Sequence, residues 1–243
     1  MQPQVFRFAA VFVLSVLVGL PVGGQEASTS PWTDLFNGKD FDGWKHDPLG
    51  KAKYAAVDGA IHGVTVEGST NSFLYTEKAY GDFELEFEVR VHDSLNSGVQ
   101  IRSREKSAAD VEAEAKKSGK EVKNKNASIG RFFGPQVEIE SSPGQAGYIY
   151  GEATSYGWLS KEPQDKKHAH KAMKNGEWNK FRVVAKGPRI QTWINGQPIA
   201  DLTHEGIYET HPSGHIAVQV HGIQPGTGPY DVSWRNLRIR ELK

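Results

Sequence analysis

The segment G-P-Q-V-E-I-E places Gln136, Glu138 and Glu140 at alternate positions, with the apolar Val137 and Ile139 between them. In an extended chain, alternate side chains share one face about 6.5–7 Å apart, twice the ~3.3 Å rise per residue. A row of one amide and two carboxylates on such a face lines water or a polar ligand. Two further segments carry the same pattern. In S-G-V-Q-I-R-S, Gln100 and Arg102 oppose Val99 and Ile101; in G-H-I-A-V-Q-V-H-G, His215, Gln219 and His221 oppose Ile216, Val218 and Val220. Were the three segments neighbours, their polar faces would merge into one hollow of amides, carboxylates, a guanidinium and imidazoles. That set matches the donors and acceptors of a sugar ring, and Tyr148, Tyr150, Tyr156 and Trp158 could supply stacking faces. His221 stands out because it shares its face with Gln219 and ends its strand beside a glycine-rich loop. The competing reading is an ordinary solvated sheet face, as expected for Glu84, Glu86 and Glu88.

Other candidates have less support. His168 and His170 in K-K-H-A-H-K have a metal-like spacing, but basic neighbours disfavour a cation there. Trp178 in G-E-W-N-K-F reads as core, Gly144 and Gly147 as turn glycines, and no phosphate-binding loop occurs. The 243 residues include no cysteine, which removes disulfides, thiolate metal sites and cysteine nucleophiles. Acidic and basic side chains balance at 29 each, which argues against a general nucleic-acid binder.

The elements that must carry these residues are strands. Asp82–His92, D-F-E-L-E-F-E-V-R-V-H, alternates strictly, with Phe83, Leu85, Phe87, Val89 and Val91 on one side. Shorter strands follow at 99–103, 137–140, 181–186, 190–194, 216–221 and 232–239, and Asn195-Gly196 marks a tight hairpin. Many strands joined by Gly and Pro turns indicate a two-sheet antiparallel sandwich, hence an all-β fold. Residues 105–128, rich in Lys, Glu and Ala, read as a solvated insertion, partly helical through Ala108–Lys117. It interrupts two strands and crosses near an open sheet face, either as a surface loop or as a lid.

At the amino terminus, Arg7 precedes an uncharged run from Phe8 to Leu20, followed by Pro21 and the small pair Gly23-Gly24. As a helix that run spans about 20 Å, short of the ~30 Å hydrocarbon core, so residues 1–24 read as a cleaved secretory signal. Residues 25–31 read as a short linker and 32–243 as one domain. The expected location is the periplasm or the medium, with no membrane association after cleavage and no nucleic-acid partner.

Together, L-F-N-G-K-D-F-D-G-W (35–44), N-S-G-V-Q-I-R-S (96–103), G-E-W-N-K-F, W-I-N-G-Q-P-I, G-H-I-A-V-Q-V-H-G and W-R-N-L-R-I resemble the 3-keto-disaccharide hydrolase family over essentially the whole mature chain. The resemblance implies a jelly-roll sandwich of the concanavalin A-like lectin/glucanase type, acting on glycosides oxidised to a ketone at C3. It also implies an oxidised saccharide as partner, with a sugar 3-oxidoreductase as its source. The family strand usually carries Glu where Gln136 stands and Gln where Glu138 stands. Its spacing is similar to the nucleophile strand of retaining β-glucanases, but an amide at Gln136 cannot form a glycosyl ester. Glu138 and Glu140, about 7 Å apart by strand geometry, exceed the ~5–5.5 Å that retention needs.

A 3-keto group acidifies the C2 proton, so base removal, loss of the C1 oxygen and addition of water give net hydrolysis. The site must supply a base, a stabiliser for the enolate oxygen and a proton donor for the leaving group. Either His221 or Glu138 can be the base; either Arg102 or a divalent cation held by Glu138 and His221 can stabilise O3. Gln100, Arg102, Gln136, Glu140, Gln219, Tyr150 and Trp158 are the expected substrate-binding residues. Two alternatives remain at this point, a non-catalytic carbohydrate-binding jelly roll and a direct glycosidase.

Overall fold

The computed structural model describes residues 30–119, 128–140, 144–165 and 170–243. The proposed signal (1–24), most of the linker, part of the insertion and His168 lie outside the described residues.

Two antiparallel sheets face one another. The eight-stranded sheet runs β13 (Gln197–Thr203), β12 (Arg189–Ile194), β11 (Asn179–Lys186), β6 (Phe83–Val91), β15 (Asp231–Glu241), β4 (Ala60–Val64) and β3 (Lys53–Val57), with β1 (Thr33–Asp34) paired to β15. The seven-stranded sheet runs β10 (Gly157–Trp158), β9 (Ile149–Glu152), β8 (Phe132–Glu140), β7 (Asn96–Glu105), β14 (His215–Val220), β5 (Ser72–Thr76) and β2 (Trp44–His46). This is the expected all-β jelly-roll sandwich.

The core follows from the alternation. Phe83, Leu85, Phe87, Val89 and Val91 of β6 meet Val99 and Ile101 of β7, Val137 and Ile139 of β8, and Ile216, Val218 and Val220 of β14, all buried in one cluster. Burying alternate apolar side chains from both sheets drives them together at about 25 cal/mol per Å² removed from water. At Asn195 and Gly196 the backbone has φ of 51° and 81°, the left-handed conformation that this two-residue hairpin requires.

The outward carboxylates of β6 are not an ordinary wet face. Glu84 is paired with Arg182 and Arg240, Glu86 with Lys180 and Arg238, and Glu88 with Arg235. Trp32 packs under Arg238 and Arg240, and Trp178 under Arg90 and Arg235. Neighbouring strands supply a cation to each Glu, so period two puts charge on this face while pairing covers it.

The insertion between β7 and β8 contains α1 (Ala108–Ser118), close to the expected helix. Ser107 caps it, accepting from the Asp110 N–H while the Asp110 carboxylate accepts from the Ser107 N–H. Arg104 grips Asp110 through both terminal nitrogens, at 2.5 and 2.7 Å. Glu114 accepts from the Ser155 N–H, and Lys117 meets the Tyr156 hydroxyl, fastening the helix to the loop between β9 and β10. Two short helical segments follow, α2 (Glu162–Asp165) and α3 (Glu205–Thr210).

Candidate active site

Strands β7, β8 and β14 are neighbours, so their outward faces do merge. Directly opposed residues form a row Tyr75, Ala217, Gln100, Gln136, Tyr150, Trp158 across five pairings. One step along lies a second row, Phe73, Gln219, Gly98, Glu138. Asn96 and Glu140 oppose each other in the next row, and His221 follows the last paired residue of β14, Val220. One end of this face is filled by Phe73, Phe132 and Ala217, with Tyr75 against them. The other end is a polar groove.

A cavity of about 320 Å³ in this groove is lined by Asn71, Asn96, Arg131, Gln136, Glu138, Tyr150, Glu152, Trp158 and His221. Glu138 is buried at its floor, where one carboxylate oxygen accepts from Asn96 Nδ2 and the other from Gln136 Nε2 at 3.2 Å. Burial pushes the Glu138 carboxyl up to about 7. The negative charges of Glu140 and Glu152 act in the same direction, while the Asn96 and Gln136 N–H bonds oppose it. Gln136 reaches this position because Gly98 has no side chain: a Cβ there would stand 2.6 Å from Gln136 Cγ. Gln100 and Gln219 are fully buried beside it, with neither end of either amide bonded to a protein group. Buried amides are costly unless satisfied, so a polar layer placed here must have a compensating use.

The rim is a connected network. Arg131 and Asn71 both donate to Glu152 Oε1, at 2.8 and 3.3 Å. Asn71 Oδ1 accepts from the Gly222 N–H at 2.9 Å, and His221 Nδ1 lies 2.7 Å from the Gly222 carbonyl. A carbonyl only accepts, so that bond puts a proton on Nδ1; in the neutral ring the lone pair is then on Nε2.

Not every expected residue is here. Gln136, Glu138, Tyr150, Trp158 and His221 line the cavity; Gln100 and Gln219 lie under it, and Glu140 joins through Asn96 Nδ2 at 3.5 Å. Arg102 does not belong. A bulge between Gln100 and Arg104 resets the alternation of β7, and Arg102 has φ of 51°. Its side chain turns away to Gly81 O (2.7 Å), Gly187 O (2.7 Å) and Asp82 (2.8 Å) and is almost completely buried. It therefore cannot stabilise an enolate in the groove.

His215 shares the face but lies at its aromatic end, Nδ1 2.7 Å from Thr76 O and the ring against Tyr75. Tyr148 packs edge-on against His170, and Tyr156 sits beside α1 against His204. His170 is fixed by the Ala146 carbonyl at 2.8 Å, and burial lowers its pKa.

Asn71, Asn96, Arg131 and Glu152 were missed. Asn96 and Asn71 were within reach of the alternation, being two residues before Gly98 and Phe73. Arg131 and Glu152 meet only through the pairing of β8 with β9.

Among the described residues the donor set gathers no three-ligand cation site, and both Glu138 oxygens are occupied by amide N–H groups. Among them, too, no helix is long and apolar enough to cross a membrane.

A family model for the 3-keto-alpha-glucoside-1,2-lyase-like domain matches residues 31–240. Among solved structures, a putative glycosyl hydrolase from Parabacteroides distasonis ATCC 8503 is 21% identical, with TM-score 0.54, over 87% of this chain and 94% of that one. A Bacillus subtilis protein of unknown function with a galectin-like fold is 11% identical, with TM-score 0.52, over 90% and 98%. The carbohydrate-binding module CBM66 from Bacillus subtilis is 12% identical, with TM-score 0.50, over 81% and 94%. No curated protein matches the chain. At such identities the structural likenesses speak to the fold alone.

Proposed function

This chain belongs to the 3-keto-alpha-glucoside-1,2-lyase-like domain family, and from that premise we propose that it cleaves the glycosidic bond of 3-keto-glycosides by elimination and hydration. The observation that carries the reading is Glu138, a carboxyl buried in the floor of a sugar-sized groove and titrating near neutrality, with His221 on the same cavity's wall.

In the proposed reaction His221 Nε2 removes the C2 proton, and the C–H electron pair forms the C2=C3 enolate. Glu138, protonated, donates to O3 as the charge develops there, and Arg131 at the rim supplies positive charge in place of Arg102. A carboxylic acid held neutral by burial serves well as such a donor, because its dipole is already aimed when the charge appears. Collapse of the enolate breaks the C1–O bond and leaves a C1=C2 double bond. Water then adds hydroxide at C1 and a proton at C2, so the net change is hydrolysis. Tyr150 and Trp158, ring centroids 5.2 Å apart, offer a corner for the sugar face.

The test is release of the leaving group from matched glycosides with and without the 3-keto group. The proposal expects release from the keto form alone. Binding without release would favour a carbohydrate-binding module, and cleavage of the plain glycoside a direct glycosidase. His221→Ala should lower kcat by about 10²–10⁴-fold. Glu138→Ala should cost about 10²–10³-fold, and Glu138→Gln less, since an amide N–H still donates. The fall in kcat/KM as pH rises through about 7, where Glu138 gives up its proton, should vanish in Glu138→Gln. A wild-type kcat/KM that instead rises as pH passes through about 7, together with an inactive Glu138→Gln, would make Glu138 the base. The reading includes export, on the strength of the apolar run Phe8–Leu20; sequencing the amino terminus of the protein recovered outside the cytoplasm tests it. An enzyme oxidising sugars at C3 would supply the substrate.

A further inference from the structure

A second cavity, about 420 Å³, adjoins the first; Asn71, Arg131 and His221 line both. Its own wall includes Asp47, Leu49 and Ile223. If the keto sugar occupies the cavity floored by Glu138, the bond to be broken lies at the shared boundary, and the leaving group projects into this second space. Elimination there needs a proton for the departing oxygen, delivered from the leaving-group side. Among the residues lining the second cavity, the titrating side chains are Asp47, His221 and Arg131. His221 already accepts the C2 proton, and a guanidinium does not give up its own. Asp47 remains.

Asp47 is also well placed and held. It follows β2, its N–H bonds to Phe73 O at 2.9 Å, and its carbonyl accepts from the Gly50 N–H at 3.1 Å. Its Oδ1 accepts from the Leu49 N–H at 2.9 Å, so the carboxyl is oriented, and it is buried. Burial raises its pKa to about 6, helped by Glu105; the Leu49 and Phe73 N–H groups and Arg131 oppose this. Neither the C2 deprotonation by His221 nor the hydrogen bond from Glu138 to O3 makes use of it.

We propose that Asp47 is the acid that protonates the departing glycosidic oxygen, a role that rests on the 3-keto-glycoside reading of the neighbouring cavity. As the C1–O bond breaks, its electron pair takes the Asp47 proton, so a neutral alcohol leaves and a carboxylate stays. In the hydration step that carboxylate takes a proton from the incoming water as oxygen bonds to C1, and His221 returns its proton to C2. Both groups end as they began.

The experiment compares the wild type, Asp47→Asn and His221→Ala on two probes, the 4-nitrophenyl and the methyl 3-keto-glucoside. Nitrophenolate departs without a proton; methoxide does not. Asp47→Asn should lower kcat/KM for the methyl glycoside by about 100-fold or more while changing the nitrophenyl glycoside by less than about 3-fold. His221→Ala should lower both alike. The ratio of the two substrates on one sample cancels the folded fraction, so a destabilised variant still answers. Equal losses on both probes in Asp47→Asn would overturn the role of Asp47 alone. A wild type inert on both would overturn the underlying reading and this proposal together.

Discussion

Glu138 shows how one residue's surroundings set its chemistry and its cost. Its carboxyl titrates near 7 in the fold against an ordinary 4.5, so the folded protein keeps a proton that the unfolded chain releases. The sign follows from linkage: where the folded state binds more protons, stability falls as pH rises, here across the window from 4.5 to 7. The full penalty, roughly 3 kcal/mol at ~1.4 kcal/mol per pH unit, is present above pH 7 and absent below 4.5. Glu138→Gln should therefore melt at a higher temperature than the wild type at pH 8, with the two converging near pH 4, as followed by circular dichroism. Equal melting temperatures at pH 8 would mean that the carboxylate is stabilised in the fold after all. On the proposed reading, that stability is given up for an acid that works at neutrality. Asp47, raised from 3.8 to about 6, should add a penalty of the same sign over that lower window.

Among the elements, β7 and β8 do most to shape the site, and Gly98 is the point where they do it. Its backbone is ordinary strand, so space alone matters: Gln136 lies over it and reaches Glu138. Gly98→Ala should swing Gln136 away, at about 1–3 kcal/mol for the overpacking, and reduce kcat/KM roughly tenfold through lost positioning. Unchanged kinetics would show that Gln136 does not order Glu138. The alternation of β7 put Gln100 on the right face and Arg102 on the wrong one, and both outcomes have a physical cause. Period two is a property of each residue's own backbone, whereas a bulge depends on the partner strand and on what the displaced side chain can reach. Arg102 reaches Asp82 and two carbonyls at the end of the sandwich. The helix of the insertion was legible from its Ala- and Lys-rich composition, but its attachment to the β9–β10 loop was not.

For the molecule as a whole, the two sheets divide the labour. The seven-stranded sheet carries the groove and tolerates buried, unpartnered amides; the eight-stranded sheet covers its outer face with paired charges. Glu84, buried between Arg182 and Arg240 on that far face, tests the separation. Removing it in Glu84→Ala leaves two half-exposed guanidinium groups unpaired, a loss of about 1–2 kcal/mol. At about 2–4 °C per kcal/mol for a domain of this size, the melting temperature should drop by roughly 2–8 °C. Turnover at 25 °C should be unchanged, since the sandwich core lies between Glu84 and the groove. A large fall in kcat/KM would show that the sheets are coupled.

By itself the amino-acid sequence determined the class of fold and, Arg102 apart, the face on which the candidate strand residues lie, because alternation, turn glycines and the apolar-to-polar rhythm act over a few residues. It thereby set Gln100, Gln136, Glu138, Gln219 and His221 on strand faces able to form a hollow. Only the tertiary structure decided that β7, β8 and β14 lie side by side, that Arg102 leaves and Arg131 enters, and that the cavities lined by Asp47 and by Glu138 share His221. Those outcomes depend on pairings between residues tens of positions apart and on burial by neighbours, for which no local pattern in the chain encodes a signal.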